Sequence, residues 1–199
     1  MRINGGYLFA ADPRITGLAQ PIFWTPQTDP AAIVLQSGPH ISEESRFTVD
    51  ALRAHAVQDR GAALLRLNLN GECFDVSLSD PAEGAPLAAV IPLDEMTPDR
   101  LTALSRLWSA ATGRAVPPDP RMTPQRLQRA RQMLRAVDAR ETGATYRAIA
   151  HYLFPQHEND ASSWVGSAIR ETTIRLARDG MKLVRGGYRA LLRRPRRER

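Results

Sequence analysis

Four prolines stand within eleven residues in the segment RAVPPDPRMTP, which spans residues 114–124 of a 199-residue chain. Proline fixes φ, lacks a backbone N–H and restricts the residue before it, so regular structure is interrupted here. The chain is long enough for one domain or two small ones. The segment therefore predicts an N-terminal domain over residues 1–114, a linker over 115–123 and a second domain from residue 124.

The sign of the charge changes at the same place. Residues 1–119 contain nine Arg and 14 acidic residues, a net charge of −5. Residues 120–199 contain 18 Arg or Lys and seven acidic residues, a net charge of +11. A basic half beside a mildly acidic half indicates a polyanionic partner for the second half alone.

Alternating apolar residues in AALLRLNLNGECFDVSLSD predict a β-hairpin in the N-terminal half. Every second residue is apolar over 65–69 and again over 74–78, with the favoured turn pair Asn70-Gly71 between the two runs. The runs GYLFA, PIFW and AIVLQ also indicate strands, while SRFTVDALRAHAVQ fits a helix and a strand equally. Cys73, the single cysteine, is expected to be a small buried residue of a strand.

A helix is predicted over TPDRLTALSRLWSAATG, with Thr97 as N-cap, Pro98 at the first helical position and Gly113 as the stop. The apolar stripe that should pack on the hairpin is Leu101, Leu104, Leu107, Trp108 and Ala111. The chain is thus expected to be α+β, beginning with a small, mainly-β domain that carries one packed helix.

Three helical patterns follow the linker. The first opens at Thr123-Pro124, and its inward residues should be Leu127, Ala130, Leu134 and Val137. The second, TYRAIAHYLF, ends at Pro155, and its inward residues should be Tyr146, Ile149, Ala150 and Leu153. The third begins near Ser162, and its inward residues should be Val165, Ala168, Ile169, Thr172 and Leu176.

A short second helix before a basic third helix outlines a helix-turn-helix domain over residues 124–192, although PQHENDAS is longer than the usual turn. Gly186-Gly187 should stop a helix or form a tight turn. Whether residues 179–192 extend the third helix or form a β-hairpin wing is left open.

The candidate DNA contacts lie on the face of the third helix opposite its apolar stripe. Arg170 and Arg178 are placed to reach base edges, with Ser167 on the same face. The phosphate contacts are expected to be Arg175, Lys182, Arg185, Arg189, Arg193 and Arg194. The end of the chain, residues 193–199, is predicted to be a disordered basic arm that adds salt-dependent affinity. A solvated basic face is the alternative interpretation of these residues.

The segments ATYRAIAHYLF and TIRLARDGMKLVRGGYRALL, with Trp164 between them, resemble the C-terminal domain of the RovC-type transcription factors of proteobacteria. PIFWTP, GAPLAAVIPLD and RLTALSRLW followed by TGR are similar to longer members. The resemblance implies a helix-turn-helix-like domain that binds duplex DNA, in regulators of type VI secretion or of integrative and conjugative elements. Longer relatives carry an aromatic-rich N-terminal module that this chain is expected to lack. The alternative is therefore an antiactivator or interaction module that binds a related regulator by protein contact.

The motif inventory argues against an enzyme. The histidines, at positions 40, 55, 151 and 157, lack the spacing of a zinc site, and no nucleophile elbow or phosphate-binding glycine loop is present. We therefore expect no catalysis, no cofactor and no metal. The sequence has no run of 18 apolar residues. The expected location is cytoplasmic and nucleoid-associated when bound to DNA, without a membrane partner. Homo-oligomerisation is left open.

Overall fold

The structure is a computed structural model that describes residues 24–40, 47–59, 64–82, 84–157 and 164–193. These ranges form an α+β protein, as predicted. The chain divides into two compact units, residues 1–118 and 119–199, and the division falls inside the proline-rich segment. Among the helices of these ranges, none combines the length and apolarity needed to cross a bilayer. The predicted strand GYLFA, PIFW apart from its last residue, and the tail beyond residue 193 lie outside the described residues.

A five-stranded sheet forms the first unit. Its strands are β1 Ile33–Ser37, β2 Ala56–Asp59, β3 Leu64–Leu69, β4 Glu72–Ser79 and β5 Leu87–Val90. Their spatial order is β2-β3-β4-β1-β5, in which β1 and β4 are parallel and the other neighbouring pairs are antiparallel. The predicted strand AIVLQ is thereby confirmed as β1.

The predicted hairpin is confirmed as β3 and β4. Asn70 and Gly71 have φ values of 53° and 77°, the left-handed conformations that a type I′ turn requires. The residues predicted to face inward are buried. On the other face, the Arg66 guanidinium donates to both carboxylate oxygens of Asp75, at 2.6 and 2.8 Å. This hydrogen bond raises the pKa of Arg66.

Cys73 lies in β4, as predicted for a strand residue, but it is exposed rather than buried. It pairs with Asn68 one step from the turn and alternates with the buried Phe74. Because neighbouring strand residues point to opposite faces, the register that buries Phe74 exposes Cys73.

Within the described residues two helices, rather than the single helix predicted, pack on this sheet: α1 Val49–Arg53 and α2 Thr97–Ala111. The ambiguous segment SRFTVDALRAHAVQ contains both structures, since α1 is followed directly by β2. Helix α2 begins at Thr97, with Met96 rather than Thr97 in the cap position. The Thr97 hydroxyl instead donates to the carbonyl oxygen of Asp94 at 2.7 Å, within the turn that precedes the helix.

The buried side of α2 differs from the predicted stripe. Ala103, Leu107 and Ala110 enter the core, whereas Leu101 and Trp108 are each 52% exposed. Small side chains next to the sheet allow the helix backbone to approach closely, so two alanines occupy positions that a hydrophobicity count assigns to larger residues.

Helix α2 packs on the hairpin, as predicted. The Asn70 side chain donates to the Ala110 carbonyl at 3.1 Å, and Arg106 forms an ion pair with Glu72 at 3.0 Å. Both bonds start from the end of the hairpin, so they set the rotation of α2 that leaves Trp108 outside.

Three α-helices form the described part of the second unit: α3 Pro124–Glu141, α4 Tyr146–Leu153 and α5 Ala168–Val184. A 3₁₀ helix, Gly187–Leu192, follows. Each α-helix is capped by a hydroxyl, since the side chains of Thr123, Thr145 and Ser167 accept a hydrogen bond from the backbone N–H three residues on. The caps at Thr123 and Thr145 bear out the predicted starts of the first two helices.

The inward face of α4 is confirmed and that of α3 is partly wrong. Ile149 and Ala150 are buried in α4. In α3 the buried residues are Ala136 and Val137, whereas Leu127 and Leu134 are 38% and 49% exposed. Alanines occupy part of the core of this unit beside Ile149 and Leu176, and alanine carries a weak hydrophobic signal in the sequence.

The predicted start of the third helix near Ser162 lies outside the described residues, and its predicted stripe is partly wrong, since Leu176 is buried as predicted but Val165 and Ala168 are exposed. Gly166, with φ 83°, makes a turn just before α5, and Val165 is 83% exposed. Ala168 is also exposed. The buried stripe of α5 is Thr173, Leu176, Ala177 and Gly180.

Gly180 marks the closest approach of α5 to α3. A Cβ placed on Gly180 would lie 2.6 Å from the Met133 carbonyl oxygen and 2.8 Å from Val137 Cγ2. The two helices run antiparallel, since Arg121, just before α3, donates to the Leu192 carbonyl beyond the end of α5.

We expect Gly180→Ala to destabilise the second unit. Alanine is favoured over glycine in a helix by about 1 kcal/mol. The clash with the Met133 backbone and with Val137 should exceed this gain, so the free energy of unfolding should fall by about 1–3 kcal/mol. Denaturant unfolding of the full-length protein measures the difference. Lys182→Ala, an exposed change on the same helix, should stay within about 0.5 kcal/mol of wild type. Unchanged or higher stability of Gly180→Ala would contradict the close helix contact.

The boundary between the units should be cut by trypsin after Arg114 before it is cut after Arg121. Arg114 is exposed, whereas the Arg121 guanidinium binds Asp119 at 2.6 Å and the Leu192 carbonyl at 3.3 Å. Timed digestion with mass spectrometry gives the order. The variant Asp119→Ala removes the ion pair of Arg121 and should accelerate cleavage after Arg121. If trypsin instead cuts first inside α5, the boundary is misplaced.

Candidate nucleic-acid interface

The exposed side of α5 is basic along most of its length. After Glu171, the exposed positions of this helix are Arg175, Arg178, Lys182 and Val184. At 100° per residue, the three basic residues fall within about 60° of one another, opposite the buried stripe. These three positions are called the α5 basic face below.

The arginines at the start of α5 are placed differently from the prediction. Arg170 lies beside the buried stripe rather than opposite it, and its guanidinium forms an ion pair with Glu171 at 2.7 Å. The Ser167 hydroxyl accepts a hydrogen bond from the Arg170 N–H at 3.1 Å and caps the helix. Of the two arginines predicted to reach base edges, Arg178 lies on the α5 basic face and Arg170 lies at its margin.

The chain turns at the end of α5 and continues the basic surface. Arg185 is the C-cap, and Gly186 follows with φ 115°, which confirms the predicted glycine stop. Arg189 in the 3₁₀ helix and Arg193 after it are exposed. Residues 179–192 therefore extend the helix and then form a 3₁₀ turn instead of a β-hairpin wing. Arg194 lies outside the described residues.

Several other arginines of this unit hold the fold together. Arg126 donates to the Arg121 carbonyl, and Arg140 donates to the Ala144 carbonyl at 2.7 Å. The Arg140 guanidinium also lies 4.6 Å from the centre of the Tyr146 ring. Positive charge alone therefore does not separate the arginines that close turns from those that face solvent.

The packing of α3 brings Arg129 next to α5. No sequence pattern assigned this residue to the interface. Its guanidinium lies 3.1 Å from one carboxylate oxygen of Asp179, and Arg178 lies 3.5 Å from the other. The periodicity of α3 placed Arg129 outside the helix core, but no local pattern shows a partner fifty residues away.

Within the ranges that the structure describes, no group of three or more His, Cys, Asp or Glu residues is arranged to hold a metal ion. The α5 basic face offers hydrogen bonding and positive charge from guanidinium and ammonium groups. Such groups match the oxygen atoms of phosphates and the acceptor edges of bases.

A comparison with protein-family models gives a match over residues 90–193, just over half of the chain, to the RovC DNA-binding domain, described as a T6SS transcription factor, DNA binding domain. The match includes α2 as well as the helices of the second unit, while the segment PIFWTP precedes it. The description is that of a DNA-binding domain and names no enzymatic activity. No curated protein matches the chain.

Replacing Ser167 tests whether its hydroxyl serves the helix. Ser167→Ala should lower the free energy of unfolding by about 1 kcal/mol because the cap is lost. Ser167→Asp should restore stability, since a carboxylate also caps and interacts favourably with the helix N-terminus. Thermal unfolding of both variants measures the effect, and equal stability of wild type and Ser167→Ala would exclude a capping role.

Proposed function

Because this chain belongs to the RovC family of DNA-binding domains of type VI secretion transcription factors, we propose that it regulates transcription by binding duplex DNA with sequence preference through α5. The observation that carries the proposal is the α5 basic face. Three of the four exposed positions after Glu171 are basic, and the opposite side of the helix is buried.

The proposal gives the basic residues two roles. Arg178 reaches base edges in the major groove, because a guanidinium can donate two hydrogen bonds to guanine. The phosphate contacts come from Arg175, Lys182, Arg185, Arg189 and Arg193. Arg194 and the following basic residues add attraction that does not depend on sequence.

The helix arrangement supports a helix-turn-helix interpretation of α4 and α5. Ile149 of α4 and the buried Leu176 and Ala177 of α5 share one hydrophobic core with Ala136 of α3. This core supports α5 from its inner side and leaves the α5 basic face exposed. The connection over residues 154–167 is longer than the usual three- to four-residue turn, so the proposal is a variant of the motif.

Single substitutions on α5 distinguish base reading from general attraction. Arg178→Ala should cost about 1–3 kcal/mol for a preferred site and much less for random duplex. Arg175→Ala and Lys182→Ala should weaken all sequences alike and reduce the salt slope by about 1 each. The preferred site is first selected from a pool of randomised duplexes, and affinities are then measured at several salt concentrations.

Arg131→Ala is the matched control, since Arg131 is exposed on α3 and lies away from α5. It removes the same charge and should change affinity least. Thermal unfolding of each variant excludes loss of fold. Full site preference in Arg178→Ala, or a wild-type protein that binds no duplex, would contradict the proposal.

An interaction module that contacts a related regulator is the second candidate. Leu101 and Trp108 lie seven residues apart on one side of α2, and both are half exposed. Trp108 also lines an apolar cleft of about 720 Å³. The Trp108 ring stacks on Phe47, with 5.2 Å between ring centres. Loss of partner capture in Trp108→Ala, together with unchanged DNA binding, would favour this function.

A further inference from the structure

We infer that the Asp179 carboxylate competes with DNA phosphate for Arg129 of α3 and Arg178 of α5. Because it holds these two arginines, it limits binding to duplex of any sequence. The inference rests on the proposed function and adds two residues to the interface. Arg129 becomes a phosphate contact from a second helix, and Asp179 becomes a residue that limits affinity.

The geometry assigns one arginine to each oxygen of the carboxylate. Asp179 Oδ2 lies 3.1 Å from an Nη of Arg129, and Asp179 Oδ1 lies 3.5 Å from Nε of Arg178. The side chains of Arg129 and Arg178 are 51% and 60% exposed, and that of Asp179 is 30% exposed. All three groups are therefore open to solvent and to a ligand.

Asp179 is a negative charge among the cations of the second half of α5. It is the single acidic residue between Thr172 and Val184, and Arg175 and Lys182 stand four residues before it and three after it. These spacings place both cations on the same side of the helix as the carboxylate. The site thus presents several cations around one anion.

A carboxylate and a phosphate offer guanidinium groups the same kind of acceptor, two oxygen atoms separated by one central atom. The Arg129–Asp179 pair is therefore a phosphate site filled by the protein's own carboxylate, and the same carboxylate lies 3.5 Å from Arg178, the proposed base contact. Exposed ion pairs add little to folding stability, so stabilisation of the fold gives a weaker account of the same contacts.

A DNA strand at this surface has to displace the Asp179 carboxylate from the two arginines. Its phosphates also have to approach the negative charge of Asp179. Both effects are independent of base sequence. Non-specific binding depends almost wholly on such electrostatic contacts, whereas specific binding also draws on base contacts. Because this cost is the same for every sequence, Asp179 lowers the affinity for any duplex, and the effect is measured most directly in non-specific binding, which has no base contacts.

The test measures binding of the full-length protein to a random-sequence duplex across about 50–200 mM salt, the range over which phosphate contacts change affinity steeply. The variants are Asp179→Asn, Arg129→Ala and the double variant. The controls are Asp138→Asn and Arg131→Ala, which make the same charge changes at exposed positions of α3 that lack these contacts.

Asp179→Asn keeps the shape of the side chain and should bind random duplex about 5- to 10-fold more tightly at 0.1 M salt, with a steeper salt slope. Arg129→Ala should bind more weakly by a similar factor, with a slope shallower by about 0.9. The gain from Asp179→Asn should shrink in the Arg129→Ala background, because one of the two released arginines is absent.

Equal or weaker binding by Asp179→Asn would overturn the inference, as would an equal gain in Asp138→Asn, which would reveal a general charge effect. Equal losses in Arg129→Ala and Arg131→Ala would overturn the role of Arg129. Wild-type binding that depends on Arg175 and Lys182 but not on Asp179 or Arg129 would overturn this inference alone. Absence of duplex binding by the wild type would overturn the proposed function with it.

Discussion

The close contact between α3 and α5 at Gly180 fixes the rotation of α5. A side chain at Gly180 would meet the Met133 carbonyl oxygen at 2.6 Å, so the two backbones approach as closely as glycine allows. Leu176 and Ala177 lie on the same stripe and are buried with it. Once this stripe faces α3 and α4, the positions opposite it face solvent, and these are the basic ones. The proposed DNA-binding surface is thus a consequence of how the helices pack.

The same packing selects which charges are available. Arginines close the α3–α4 turn and the start of α3, and these guanidinium groups are occupied by backbone carbonyls. By contrast, the one contact described for the guanidinium groups of Arg178 and Arg129 is with the carboxylate of Asp179. An exposed ion pair is weak in water, so a phosphate competes with such a carboxylate for the guanidinium groups. A net charge of +11 over residues 120–199 attracts a polyanion, and these local contacts determine which residues are free to bind it.

The sequence predicted elements best where the signal was local. The alternation around Asn70-Gly71, the Thr-Pro start of α3, the helical stretch that begins at Thr145 and the glycine stop at Gly186 all depend on residues within a few positions, and all four are confirmed. Predictions of burial were partly wrong on α2, α3 and α5, where Leu107, Val137 and Leu176 are buried as predicted but other members of each stripe are not. Leu101, Trp108, Leu127, Leu134 and Val165 are each more than a third exposed, while alanines and Gly180 occupy the contacts.

The sequence by itself determined the two units, the hairpin, the family and the basic character of the second half, because proline geometry, turn chemistry, motifs and charge are properties of neighbouring residues. The tertiary structure alone decided which side of each helix is exposed, and it brought Arg129 next to Asp179. Helix faces are chosen by the fit between surfaces, where a small side chain permits a close approach that a larger one forbids. That choice depends on residues fifty positions apart, which no local pattern contains.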